Sequence, residues 1–87
     1  MHYVYVIQSI KSYEIYIGST KNLKLRLGKH NANKNTSTKN RGPWMLIYTE
    51  VYRSKDDATE REFRLKYYGR ALAQLKRRLV RSLLKPE

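Results

Sequence analysis

The chain has no cysteine. That absence excludes a disulfide framework, a thiolate zinc site and a cysteine nucleophile. Nor is there an apolar run long enough to span a membrane. The N-terminus lacks the charged, apolar and small-residue regions of a secretory leader, so the expected compartment is the cytoplasm. Without a leader, the sequon Asn35-Thr36-Ser37 reads as a coincidence. Acidic residues are scarce: seven Asp and Glu stand against nineteen Lys and Arg, a formal charge of +12. Such a chain attracts polyanions from a distance, and nucleic acid is the commonest of these. A membrane surface fits less well, because the basic last helix has no matching exposed Trp or Phe. The charge is spread along the whole chain and not gathered in a tail, which suits a folded binding surface. There is no internal repeat or linker, and 87 residues suffice for one modest core, so one domain over 1–87 is expected.

His2 to Ser9 alternates and is rich in Tyr, Val and Ile, which predicts a strand; Tyr13 to Gly18 predicts a second. A short turn around Lys11-Ser12, or one widened by a residue at each end, pairs odd positions of the first strand with even positions of the second. Tyr3, Tyr5 and Ile7 then share a face with Glu14, Tyr16 and Gly18, which brings Tyr5 and Tyr16 together. Ser19 or Thr20 is the expected N-cap of a helix from Lys21 to Asn31, with Leu23 and Leu27 inward and Asn22, Arg26 and His30 along another stripe. The polar stretch from Asn31 to Gly42 predicts a mobile loop. Met45 to Tyr52 predicts the third strand.

Ser54-Lys55-Asp56-Asp57 matches a capping box for a second helix reaching Tyr68, with Ala58, Glu62 and Leu65 inward and Phe63 and Tyr67 beside them. Gly69 is the expected C-cap. Ala71 to Leu84 predicts a third helix, with Leu72, Leu75, Leu79 and Leu83 on its apolar side and Lys76, Arg77, Arg78 and Arg81 on the other. The order β-β-α-β-α-α gives an α+β fold, a small three-stranded antiparallel sheet flanked by helices.

Cutting a phosphodiester requires an activated water, neutralisation of charge developing on phosphate oxygens and help for the departing oxygen. Glu62 is the candidate ligand for a hard divalent cation; the alternative is a helical ion pair with Lys66, worth only about 0.3–0.5 kcal/mol. Arg26 carries a planar fork of donors that matches phosphate oxygens, or is simply a solvated cation. His30 titrates near neutrality and could exchange protons there, although a lone helical histidine is more often structural. No second histidine or cysteine stands at metal-ligand spacing, which argues against zinc. Tyr5 and Tyr16 would aim hydroxyls at water or phosphate, and a phenol is a poor base unless a cation lowers its pKa.

Five segments in order carry a resemblance. They are Tyr3-Val4-Tyr5-Val6-Ile7, Tyr16-Ile17-Gly18-Ser19-Thr20, the run from Asn22 to Asn31 with Arg26 and His30, Gly42-Pro43-Trp44-Met45-Leu46-Ile47-Tyr48, and the run from Ala58 to Lys66 with Glu62. Together they resemble the GIY-YIG nucleases, in particular their compact single-domain members. The resemblance implies that Tyr5 activates or orients the water, Tyr16 assists at the phosphate and Arg26 stabilises the transition state. It implies that Glu62 binds a single Mg²⁺ or Mn²⁺ and that Gly18 lets the backbone approach closely. His30 matches a family position. The first motif lacks the eponymous glycine, Tyr13 stands where relatives often have a turn glycine, and no Asn follows Asn40 to match a late family asparagine.

These readings lead to a metal-dependent endonuclease acting on DNA, rather than RNA, with weak sequence specificity or direction by structure. Lys29, Lys39, Arg41, Lys66, Arg70, Lys76, Arg77, Arg78 and Arg81 are the expected nucleic-acid contacts, mainly with phosphate. One alternative is a non-catalytic binding module in which Tyr67, Tyr68 or Trp44 stacks on bases. Another is a basic adaptor in a DNA repair assembly. For the enzyme, the two tyrosines are expected on a sheet face that looks toward the inward stripe of the second helix.

Overall fold

In the central strand β1 (His2–Ser9), apolar and aromatic side chains alternate between two covered faces, so the strand is buried along nearly its whole length. A computed structural model describes residues 1–86. The further elements are β2 (Ile15–Thr20), α1 (Leu23–Asn31), β3 (Trp44–Tyr52), α2 (Lys55–Tyr67) and α3 (Gly69–Arg78), in the predicted order. The sheet runs β2-β1-β3 and is antiparallel throughout. On one face Val4, Val6 and Ile17 pack against Ala58 and Leu65 of α2 and against Leu75 and Leu79. On the other, Tyr5, Ile7 and Trp44 pack with Tyr16 and with Leu23 and Leu27 of α1.

The hairpin has the predicted parity, with Tyr5 opposite Gly18 and Ile7 opposite Tyr16. It is closed by the Ser9 N–H donating to the Glu14 carbonyl, so the turn is the wider of the two expected forms. Tyr13 takes a left-handed backbone, φ 63°, a conformation that costs a residue with a Cβ about 1–2 kcal/mol.

Several local expectations change. Pairing of β1 with β2 continues to Tyr3 opposite Thr20, which keeps Ser19 and Thr20 extended and moves the N-cap of α1 to Asn22. The Asn22 side chain accepts from the Leu25 N–H at 3.0 Å. Ser54 does precede α2 but makes no side-chain cap bond, and the first turn carries Asp56 and Asp57 instead. Gly69 opens α3 and does not end α2 in a left-handed turn: Tyr68, in extended backbone, joins the two helices. Regular helix in α3 ends at Arg78, short of the expected Leu84. The 32–43 connection is tied down from inside. Asn31 Oδ1 accepts from the Trp44 N–H at 2.7 Å, and the Trp44 indole donates to the Thr38 carbonyl. Thr38 itself is buried.

The largest correction concerns faces. The tyrosine face of the sheet is covered by α1, whereas the inward stripe of α2 packs on the opposite face. Alternation along β1 forces this result. Once Ala58 and Leu65 take Val4 and Val6, Tyr5 must point the other way.

Candidate active site

Tyr5 lies in the middle of the central strand with its ring across Gly18. A Cβ at Gly18 would stand 2.3 Å from the Tyr5 hydroxyl, so glycine is required here for the phenol to lie over β2. The hydroxyl is 2.8 Å from Nε2 of His30. The other ring nitrogen, Nδ1, is 2.6 Å from Oγ1 of Thr38. Whichever ring nitrogen carries the proton, Tyr5, His30 and Thr38 form one continuous hydrogen-bonded chain, buried at every member. Tyr16 completes the cluster, its ring 5.0 Å from that of His30 in an edge arrangement.

The electrostatics of this cluster are distinctive. Burial, reinforced by Tyr16, pushes the Tyr5 phenol up to about 12, against the opposing pull of the Arg26 guanidinium. Burial, aided by the same guanidinium, pushes His30 below its usual value. At neutral pH both groups are therefore uncharged, and Arg26 supplies the positive charge beside them. Arg26 reaches the cluster from α1, one turn before His30.

Glu62 stands across the β2 edge from these groups. Its Oε1 accepts from the Ser19 hydroxyl at 2.6 Å, and its Oε2 lies 2.8 Å from the Lys66 ammonium. Its charge still acts on Tyr5, raising that phenol's pKa as a minor contribution. Lys66 also lies over the Tyr16 ring, 5.5 Å from its centroid, and so joins the α2 flank to the tyrosine face. The expected helical pair of Glu62 with Lys66 is thus present, but Ser19 is a second partner.

A hard divalent cation such as Mg²⁺ is held by one or two carboxylates and keeps several of its waters. Among the described residues no three His, Cys, Asp or Glu side chains cluster to hold a metal, which leaves the mode of one carboxylate and several waters. Glu62 fits that mode. Its side chain is 22% exposed, and its cationic partner Lys66, on a flexible stem, is 32% exposed.

The expected nucleic-acid contacts lie on both sides of the sheet. Lys66 and Lys76 line an open depression of about 470 Å³ with Tyr16 along the β2 edge. Lys29 lies on α1, while Arg70, Lys76, Arg77 and Arg78 lie on α3 and Arg81 just after it. Lys39 is exposed in the connection before β3, and Arg41 is already engaged by Glu14 at 3.2 Å. Trp44 is unsuited to base stacking because it is buried.

Sequence reasoning missed Ser19 and Thr38. Ser19 was detectable in principle, since alternation along β2 puts it on the face opposite Gly18, toward α2. Thr38 sits in irregular backbone, where no periodicity marks it.

A family model described as the GIY-YIG catalytic domain matches residues 1–72. A UPF0213 protein of Staphylococcus haemolyticus is 40% identical over 70 residues, covering 79% of this chain and 84% of that one. A UPF0213 protein of Staphylococcus aureus is 36% identical over 82 residues, covering 93% and 95%. The solution structure of the UPF0213 protein BH0048 from Bacillus halodurans superposes with a TM-score of 0.53 at 34% identity, covering 91% of this chain and 81% of that one. With the sequence matched from its first residue into α3, this chain belongs to the GIY-YIG nuclease family.

Proposed function

We propose that this protein is a metal-dependent endonuclease that hydrolyses DNA phosphodiesters with weak sequence specificity or direction by structure. The observation that supports it best is the convergence of Arg26, Tyr5, Tyr16 and His30 beside the β2 edge, next to a partly exposed carboxylate paired with a lysine. In this reading Glu62 would hold one Mg²⁺ or Mn²⁺. The ion would supply a water of lowered pKa and positive charge for the phosphate oxygens.

The chain's own residues do the rest. Arg26 grips the scissile phosphate with its fork and balances the charge that builds there. Tyr5, held near pKa 12, is a donor and an orienting group in the resting site and not a base. His30, kept neutral, fixes the Tyr5 hydroxyl from one ring nitrogen while Thr38 fixes the ring from the other. Tyr16, with Lys66 over its face, lies where the phosphate path leaves the sheet. Gly18 keeps Tyr5 in place.

A second reading, a non-catalytic nucleic-acid-binding module, is favoured by one specific observation. Both Glu62 oxygens already have partners, and the Tyr5 hydroxyl is bonded to His30. Incubation with nicked, branched and single-stranded DNA, and with RNA, in Mg²⁺, Mn²⁺ or EDTA separates the two. Products that need metal and vanish in Glu62→Gln and Arg26→Ala, with binding retained, support the enzyme. Binding without metal-dependent products supports the module. Cleavage that persists in both variants sinks the site assignment.

A further inference from the structure

Three aromatic rings on the outer side of α2 and at its junction with α3 belong to neither hydrophobic cluster. Phe63 is 51% exposed, Tyr67 69% and Tyr68 54%. They pack on one another: Phe63 lies 4.8 Å from Tyr67, tilted by 46°, and 6.0 Å from Tyr68, close to edge-on. Arg64 sits 5.9 Å from the Tyr68 centroid. Large rings left in solvent, held against each other and topped by a guanidinium, form an apolar patch within a cationic surround.

Helix geometry sets this patch beside the candidate active site. Successive residues advance by about 100° around a helix. Moving around α2 from the buried Leu65, one therefore meets Glu62, then Lys66, then Phe63 and Tyr67. Nucleic acid with a phosphate at Arg26 and Glu62 would pass Lys66 and meet the rings next.

The charge on this side selects the occupant. Glu60 is bound to Arg64 at 2.9 Å and Glu62 to Lys66 at 2.8 Å, so the acids of this helix face are neutralised and the chain's net +12 meets whatever arrives. A second copy would bring the same cations against their like, whereas a nucleic-acid strand brings phosphates for the cations and flat bases for the rings.

We propose that Phe63, Tyr67 and Tyr68 are a stacking platform for unpaired bases, so that the favoured substrate is DNA with a single-stranded segment next to the cut. Duplex bases are stacked on one another and cannot offer their faces to it. The cutting part of this statement rests on the proposed function; the stacking part does not.

The test measures binding of labelled oligo(dT) and of a blunt duplex of equal length, in EDTA, by fluorescence anisotropy. In the double variant Phe63→Ala with Tyr67→Ala, affinity for oligo(dT) is expected to fall roughly tenfold or more, with the duplex changed by less than about twofold. The log-log salt slope should stay the same, because no phosphate contact is removed. Leucine at both positions should lose as much as alanine, and tryptophan at both should retain binding. An unchanged thermal melt is expected for all three, since the rings are outside the core.

Equal losses on both DNAs, no loss on oligo(dT), or full binding with leucine would overturn the platform. So would sedimentation showing a dimer of the wild type that the alanine variant abolishes, which would give the face to a second copy. Neither metal nor cutting enters this experiment, so its failure is separable. A protein that cuts DNA but keeps its oligo(dT) affinity without the rings loses the platform alone. One that stacks bases and never cuts loses the nuclease reading alone.

Discussion

Glu50 and Glu62 are both partly buried carboxylates beside α2, and they are held in opposite ways. Glu50, on β3, receives both arms of the Arg61 fork at 2.9 and 3.0 Å and a hydroxyl from each of Tyr48 and Tyr52. Burial alone would push its pKa up, but the bonds from Arg61, Tyr52 and Tyr48 together hold it below the usual carboxylate range. Every donor is fixed by a strand or a rigid fork, and no lone pair is left for a ligand. Glu62 has one serine hydroxyl and one lysine ammonium. The better satisfied carboxylate fastens α2 to β3, and the one with fewer partners is the ion ligand of the proposed function.

Activity separates the two most strongly. Glu62→Gln and Arg26→Ala are expected to lower metal-dependent cleavage by about 10²–10³-fold, the scale of losing a group that stabilises transition-state charge. Glu50→Gln should leave cleavage within a few-fold at a temperature where the variant remains folded, measured by single-turnover rates. A folded Glu50→Gln protein with no cleavage would break the comparison.

Stability should show the reverse. Arg61→Met leaves Glu50 without its fork, and a loss of about 2–3 kcal/mol is expected. That is less than the 3–5 kcal/mol for breaking a fully buried pair, because the two side chains retain 27% and 16% exposure. Urea denaturation midpoints measure this, and a change within 0.5 kcal/mol, roughly the scatter of neutral surface substitutions, would make the fork ornamental.

Much of this comparison could be read from the sequence, though not its orientation. Alternation in β1 and β2 placed Tyr5, Tyr16 and Gly18 on one face, and the four-residue spacing in α1 put Arg26 and His30 on one stripe. Tyr48, Glu50 and Tyr52 alternate along β3, and a carboxylate between two inward tyrosines is a signal that was available and not used. Periodicity identifies the inward residues of a helix but not the side of the sheet on which it packs, and that was the source of the error over α2. The second partner of Glu62 and the Thr38 partner of His30 were harder to read. Ser19 meets Glu62 across 43 positions of chain, and Thr38, eight residues beyond His30, sits in irregular backbone that carries no period.

Acid titration probes the two faces in sequence. His30 has a folded pKa below its unfolded value of about 6.5, so the unfolded chain takes up the proton first. Stability is then complete above that pH and is lost as pH falls toward the lower folded value. Glu50 behaves likewise in a more acidic window, with its contribution complete above its ordinary value of 4.5 and lost as pH falls through its depressed folded value. Melting temperatures should therefore decline in two stages on acidification. His30→Gln should remove the first and Glu50→Gln the second; a single stage unaffected by His30→Gln would show that the histidine does not titrate with folding.

The smallest effect is the most discriminating. In the proposed function a divalent ion at Glu62 displaces Lys66, and an ammonium pair at this exposure is worth about 0.2–1 kcal/mol. Lys66→Met should therefore tighten Mn²⁺ binding by roughly 1.4- to fivefold in calorimetry without DNA. The same substitution should slow cleavage, because the ammonium over Tyr16 would no longer be there to meet phosphate. Most damage to a metal site weakens ion binding and activity together, so opposite signs are a specific signature of displacement. If Mn²⁺ binding weakens instead, Lys66 helps build the ion site, and Glu62 is held more like Glu50 than the comparison allows.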